Sequence, residues 1–365
     1  MKDRIACLGF GAITPLGHTA RQTYEAVREG ESALGLLPQG SPLGQDAVVS
    51  LFEDRSVLDN LSFFDTISIK AASQAIDASG IDPSSPRVSF ILSTIKGNIE
   101  ALGSEESDYS IAESATRIAS YFRNPNPPLV VSNACISGLA ALLQGRRMLL
   151  SGRCDYVVII GTEVQSRFII SGFQSLKAVS ASPCKPFDDS RDGLNLGEAS
   201  AAIVLGRSEE GWEIADGAVR NDAYHISSPS RTGEGSYKVL RYVLDSVDVK
   251  DLAFVNVHGT ATLFNDEMEA VALDRAGLGD IPINSLKGFL GHTMGAAGVI
   301  ESILSILACE DGVVLPTRGF SEIGVSRHVN ISSEERPCEG KAFIKLMSGF
   351  GGVNGALLFR KGGRV

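Results

Sequence analysis

The sequence predicts an α/β fold, on three observations. Short runs of β-branched residues alternate with Ala/Leu-rich helical stretches along all 365 residues. No Pro/Ser-rich linker or low-complexity segment interrupts the alternation. Each half also offers a strand that turns into a helix with a reactive side chain at the turn, which hints at an internal repeat.

Taken in order, Ile5–Gly11 reads as a first strand entering a turn. Gly9-Phe10-Gly11 is not a dinucleotide fingerprint, because Pro15 breaks the helix that motif requires and no third glycine follows at the right spacing. Ser68–Ser79 reads as a helix and Val88–Leu92 as a buried strand. Leu129–Ser132, a second buried strand, hands over through Asn133-Ala134-Cys135 to a helix over Ser137–Leu150. Tyr156–Gly161, Ala201–Leu205, Phe254–Val257 and Ala356–Phe359 are further buried strands. In the second half, Ile283-Asn284-Ser285 leads through Gly291-His292 into a helical stretch over Gly295–Leu307.

Composition narrows the classes. With 44% hydrophobic and 21% charged residues the chain is an ordinary globular protein, long enough for one large domain or two fused halves. A net charge of −10 argues against nucleic acid, though a local basic patch for an acidic protein partner remains compatible with it. No apolar run is long enough to span a bilayer. The start is too short and too glycine-rich for a signal peptide, so a cytoplasmic location is expected. The six cysteines are scattered, with no CxxC pair, which argues against both a disulfide framework and a zinc ribbon. No metal-ligand spacing is visible, and neither a metal nor a redox cofactor is expected.

Cys135 stands where a strand meets a helix. A helix N-terminus carries partial positive charge and unpaired N–H groups, which favour thiolate over thiol and predict a better nucleophile than a free cysteine. Small neighbours Ala134, Ser137 and Gly138 leave room for a substrate carbonyl. Read alone, a buried cysteine filling a tight turn fits equally well. Of the five histidines, two sit in glycine-rich turns at strand ends, where ligands bind in open α/β sheets: His258 in His258-Gly259-Thr260-Ala261-Thr262 and His292 in Lys287–Gly298.

With the ordered blocks around these residues, the chain resembles the β-ketoacyl-acyl-carrier-protein synthases, the elongating Cys-His-His branch of the thiolase-like superfamily. The six blocks are Gly9–Gly17, Lys185-Pro186-Phe187-Asp188, Arg191-Asp192-Gly193, Gly197-Glu198-Ala199, Asn221–His225 and Ser348–Asn354. The resemblance implies a five-layered αβαβα thiolase-like fold of two related halves, residues 1–205 carrying the cysteine and 206–365 the histidines. It implies that Cys135 accepts the acyl group, that His258 and His292 are the catalytic pair, and that Lys287 is the lysine of the KxxxGH motif. Glu269 is then the acidic residue that holds this lysine, Thr260 and Thr262 bind the phosphopantetheine arm, and Phe350 is the gate, its N–H and that of Cys135 forming an oxyanion hole. The implied substrates ride on acyl carrier protein, and the implied assembly is a homodimer or a heterodimer with a related subunit.

Neighbouring branches fit less well. A thiolase carries a second catalytic cysteine near the C-terminus, where this chain has Gly349-Phe350-Gly351-Gly352. Priming synthases have Asn in place of the first histidine, and chain-length factors lose the cysteine. A non-catalytic partner subunit stands as the alternative from another class. The chain also departs from the family. It is short between Thr94 and Pro128, and Ser348 replaces a larger aromatic residue, so the acyl pocket differs and polyene or polyketide-type chains rival ordinary fatty acids as substrates. Arg117, Arg123 and Lys70 are candidate basic contacts for the carrier.

Overall fold

The computed structural model describes residues 4–102 and 109–362. Eleven strands are linked by hydrogen bonds: β1 Ile5–Ile13, β2 Val88–Ser93, β3 Leu129–Val131, β4 Tyr156–Glu163, β5 Ala199–Arg207, β6 Trp212–Asn221, β7 Leu252–Asn256, β8 Pro282–Asn284, β9 Asn330–Ile331, β10 Ala342–Gly349 and β11 Val353–Lys361. Their spatial order is β9-β8-β7-β10-β11-β6-β1-β5-β4-β2-β3. The linkage between β6 and β1 is a single bridged pair, Ala6 with Glu213, so the strands form two sheets rather than one.

The two sheets repeat one topology. In the first, β1 and β4 pair antiparallel with β5, and β4-β2-β3 run parallel. In the second, β6 and β10 pair antiparallel with β11, and β10-β7-β8 run parallel. Numbered within its own half, and leaving out the two-residue strand β9 at the far edge of the second sheet, each sheet has the order 3-2-4-5-1, the product expected of a duplicated unit.

Five helices complete the layers: α1 Phe63–Ser79, α2 Ser137–Leu150, α3 Glu234–Leu244, α4 Leu263–Arg275 and α5 Ala297–Glu310. α2 and α5 lie between the sheets, packed on each other and on strands of both halves. α1 covers the outer face of the first sheet, and α3, backed by α4, that of the second. Burial of most of its surface explains why α5 is mostly apolar rather than amphipathic, Glu301 being the buried charge it carries. A Cβ on Gly298 of α5 would lie 2.3 Å from the backbone nitrogen of Leu139, and one on Gly138 of α2 3.0 Å from the Gly295 carbonyl. Only glycine permits this approach.

Three expectations shift. α1 begins at Phe63, because the Ser62 side chain accepts the Asp65 N–H and caps it there. α5 begins at Ala297, after a 3₁₀ turn over Met294–Ala296. Leu129–Val131 is a strand but not a buried one: it is the open edge of the first sheet, with Leu129 38% and Val130 37% exposed. The shortened stretch after Thr94 holds a 3₁₀ turn, Ile99–Ala101, and a helix, Ile111–Tyr121, with 103–108 outside the described residues. Among the described residues, no helix is long and apolar enough to cross a membrane.

Candidate active site

Cys135 sits in the turn from β3 to α2, immediately after Ala134, whose φ of 46° is left-handed. Such strain in a non-glycine residue persists only where the surroundings impose it. Here Ser137 does so, accepting the Asn133 N–H at 2.7 Å and donating to the Ala134 carbonyl at 2.6 Å. The thiol is buried, and burial pushes it up to about 11 against the pull of Lys287 and of N–H groups of Phe350 and Cys135 aimed at Sγ. Desolvation thus outweighs the helix terminus and the lysine, which were expected to favour the thiolate.

His258 follows the end of β7, and the next residue, Gly259, turns with φ 49°. His292 is tied to the central signature block: its N–H donates to the Asn195 carbonyl at 2.6 Å and its carbonyl accepts the Gly197 N–H at 3.1 Å. The Met294 N–H donates to His292 Nδ1 at 3.3 Å, which places the ring proton on Nε2. Among the described residues, that Nε2 is buried without a hydrogen-bond partner, as is Nδ1 of His258. The two rings meet edge to face at 5.0 Å, and Cys135 Sγ and one nitrogen of each histidine all lie within 4.8 Å of one another. Burial, then Lys287, holds both imidazoles well below their ordinary value, so they are neutral donors at physiological pH.

The trio lines a cavity of about 260 Å³ together with Thr260, Thr262 and Phe350. Thr260 and Thr262 share a hydroxyl hydrogen bond of 2.9 Å. Phe350, 38% exposed, stacks on Phe173 at 5.7 Å, followed by Gly351 and Gly352 at positive φ. His225 is exposed at the rim.

Glu269 does not hold Lys287. Its two oxygens accept the N–H groups of His258 and Gly259, each at 2.7 Å, and it supports the site by fixing the backbone of that turn. The lysine pairs with Glu301 of α5, Nζ to Oε1 at 2.8 Å, and the other oxygen of Glu301 meets Lys345 of β10 at 2.5 Å. Sequence reasoning missed Glu301 and Lys345. The available signal was an acid within the first two turns of a mostly apolar helix and a lysine in the middle of a mostly apolar strand. It also missed Glu163, a buried carboxyl that accepts N–H groups of Ile95, Lys96 and Gly295 and so fastens the end of β2 to the His292 turn. Asp188 is structural, accepting from Ser190, Ser321 and Glu322. Arg117, a candidate basic contact for the carrier, is one-third exposed and pairs with Asp65 at 2.7 Å.

Comparison with known proteins fits this geometry. The model of the beta-ketoacyl synthase N-terminal domain matches residues 2–211, and that of the C-terminal domain residues 212–321. The chain belongs to the beta-ketoacyl synthase family. Family members similar to it include 3-oxoacyl-[acyl-carrier-protein] synthase 2 of Vibrio harveyi, 26% identical over 99% of both chains. The tetracenomycin polyketide synthase ketoacyl synthase alpha subunit of Streptomyces glaucescens is 29% identical over 81% of this chain and 80% of its own. Among solved structures, a ketosynthase in complex with its chain length factor from Xenorhabdus doucetiae superposes with a TM-score of 0.86 at 22% identity, covering 98% of each chain. The layered fold is therefore the thiolase-like ketosynthase fold, and the chain is a condensing acyltransferase.

Proposed function

We propose that the chain extends an acyl group held on Cys135 with a malonyl unit, both delivered on the phosphopantetheine arm of an acyl carrier protein. The convergence of Sγ and the two imidazoles within 4.8 Å carries this reading. Sγ attacks the incoming thioester and its proton passes to the departing pantetheine thiolate, leaving the acyl group on Cys135. In the malonyl thioester the bond to the free carboxylate then breaks. CO₂ departs and the electron pair moves onto the thioester oxygen as an enolate. Nε2–H of His292 and the ring of His258 stabilise that oxygen, each donor contributing roughly 3–4 kcal/mol. The enolate carbon attacks the acyl carbonyl, whose oxyanion faces the N–H groups of Cys135 and Phe350, and collapse releases the product and the thiolate.

Thr260 and Thr262 hold the pantetheine arm and Phe350 gates the cavity. The chemistry requires no metal or redox cofactor. A Cys-His-His trio also suits a soft metal, but Lys287 and Lys345 beside it oppose a divalent cation. We place the enzyme in the cytoplasm, with a related subunit or a second copy against the open edge of β3. The test is incubation with acyl-carrier and labelled malonyl-carrier protein. Label is expected in a β-ketoacyl product and an acyl mass on Cys135; absence of both leaves a non-catalytic partner subunit.

Ser348 favours a specialised chain. It lines the cavity and donates to Asn354 at 3.0 Å, a small side chain where the family resemblance implies an aromatic ring. Unsaturated acyl-carrier substrates are expected to outcompete saturated ones, and equal use of both removes the case for specialisation.

A further inference from the structure

Lys345 lies in the middle of the second sheet, on β10 and in register with Asn256 of β7, and it is fully buried. A lone ammonium is strongly disfavoured there unless every hydrogen finds an acceptor. Its acceptors are Glu301 Oε2 at 2.5 Å, Asn256 Oδ1 at 2.6 Å and the Val257 carbonyl at 3.4 Å. Two of these belong to the residues that lead into His258. The third is the carboxylate that also holds Lys287. Glu301 is thus shared by two buried lysines, and one cation is left uncompensated.

We propose that Lys345 is a positioning residue for the decarboxylation half of the condensation: by occupying the second oxygen of Glu301 it leaves one net positive charge beside the paired histidines, and it anchors the strand end that presents His258. This rests on the ketosynthase reading of the site. Decarboxylation moves a negative charge onto the thioester oxygen at the histidines, so a fixed positive field there stabilises the transition state more than the ground state. The same field, after burial and Lys287, helps hold both imidazoles neutral. Two further buried carboxyls, Glu269 and Glu163, are taken up by backbone N–H groups, whereas both lysines pair with Glu301. The groups that shift Cys135 are Lys287, Glu163 and two N–H groups, so loading of the thiol depends little on Lys345.

Lys345→Gln removes the charge and keeps an N–H donor for Asn256. Release of CO₂ from malonyl-carrier protein and acylation of Cys135 are measured separately, the second by intact mass. Decarboxylation kcat is expected to fall roughly tenfold, below the hundredfold typical of losing a direct donor, with KM and the acylation rate changed less than about threefold. Adding Glu301→Gln restores the net charge, since Lys287 then stands alone, and is expected to recover most of the loss. A purely structural lysine predicts the opposite, a double variant worse than K345Q. The proposal is overturned if K345Q decarboxylates within about threefold of the unmodified enzyme, or if E301Q deepens its defect. Should K345Q not fold, K345M and K345M/E301Q give the same comparison. An unmodified protein that neither loads Cys135 nor releases CO₂ refutes the ketosynthase reading itself, a result distinct from any in the variants.

Discussion

Cys135 rests as a thiol because desolvation dominates its surroundings, and this has a measurable consequence. With its ionisation pushed up to about 11, the thiolate fraction rises about tenfold per pH unit well below that value. Alkylation of Cys135 by iodoacetamide, followed by mass spectrometry, is expected to accelerate in that proportion from about pH 7 to pH 10. A rate that levels off by about pH 8 would mean that the lysine and the N–H groups outweigh burial after all. The histidines make a complementary prediction. His292→Ala removes the donor whose tautomer Met294 fixes, and it is expected to lower malonyl decarboxylation by roughly 10²–10³ while Cys135 still acylates. Loss of both half-reactions together would place His292 in the acylation step as well. The candidates that converge, Cys135, His258 and His292, were readable from sequence, since a cysteine at a strand-to-helix turn and two histidines in glycine-rich turns have a local signature. The identity of the carboxylate that holds Lys287 was not. Glu269 and Glu301 lie at comparable distances along the chain, 18 residues before Lys287 and 14 after, and only the packing of α5 against β10 decides between them.

At the scale of elements, the site exists because α2 and α5 cross where neither has a side chain. Each helix follows one reactive turn, so the depth of their contact sets the separation of Cys135 from His292. Gly298→Val forces the helices apart against the Leu139 backbone. It is expected to destabilise by about 1–3 kcal/mol and to depress condensation beyond what lost folded protein explains. Chemical denaturation and activity per folded molecule separate the two effects. Glu301 joins α5 to β10 and to the helical turn Lys287–Leu290. Glu301→Ala leaves two buried ammonium groups facing each other and is expected to destabilise by roughly 3–5 kcal/mol. A midpoint within experimental error of the unmodified protein would mean that the lysines find other partners or deprotonate. Strand and helix positions were legible from periodicity, but the burial of β3 was not. A short β-branched run reads the same whether its neighbour is a second strand or solvent.

For the whole molecule, that edge strand is the feature left unresolved by one chain. Among the described residues, β3 pairs with β2 on one side only, and it exposes Leu129 and Val130. Tyr121, at the end of the preceding helix, is 52% exposed as well. An apolar, unprotected edge is a pairing surface and an aggregation hazard unless something covers it, and no charged residue within β3 guards this one. Antiparallel pairing with the same strand of a second copy, or with a thiolase-fold partner, satisfies both the backbone groups and the side chains. Because β3 runs directly into the Cys135 turn, such pairing also steadies the nucleophile. Val130→Lys is therefore expected to shift the protein from dimer to monomer in light scattering and to slow acylation of Cys135, with the fold retained by circular dichroism. An unmodified protein that is already monomeric at micromolar concentration points instead to an obligate partner of different sequence. Co-expression with a related subunit then decides the case, because only the heterodimer is expected to load Cys135 at full rate.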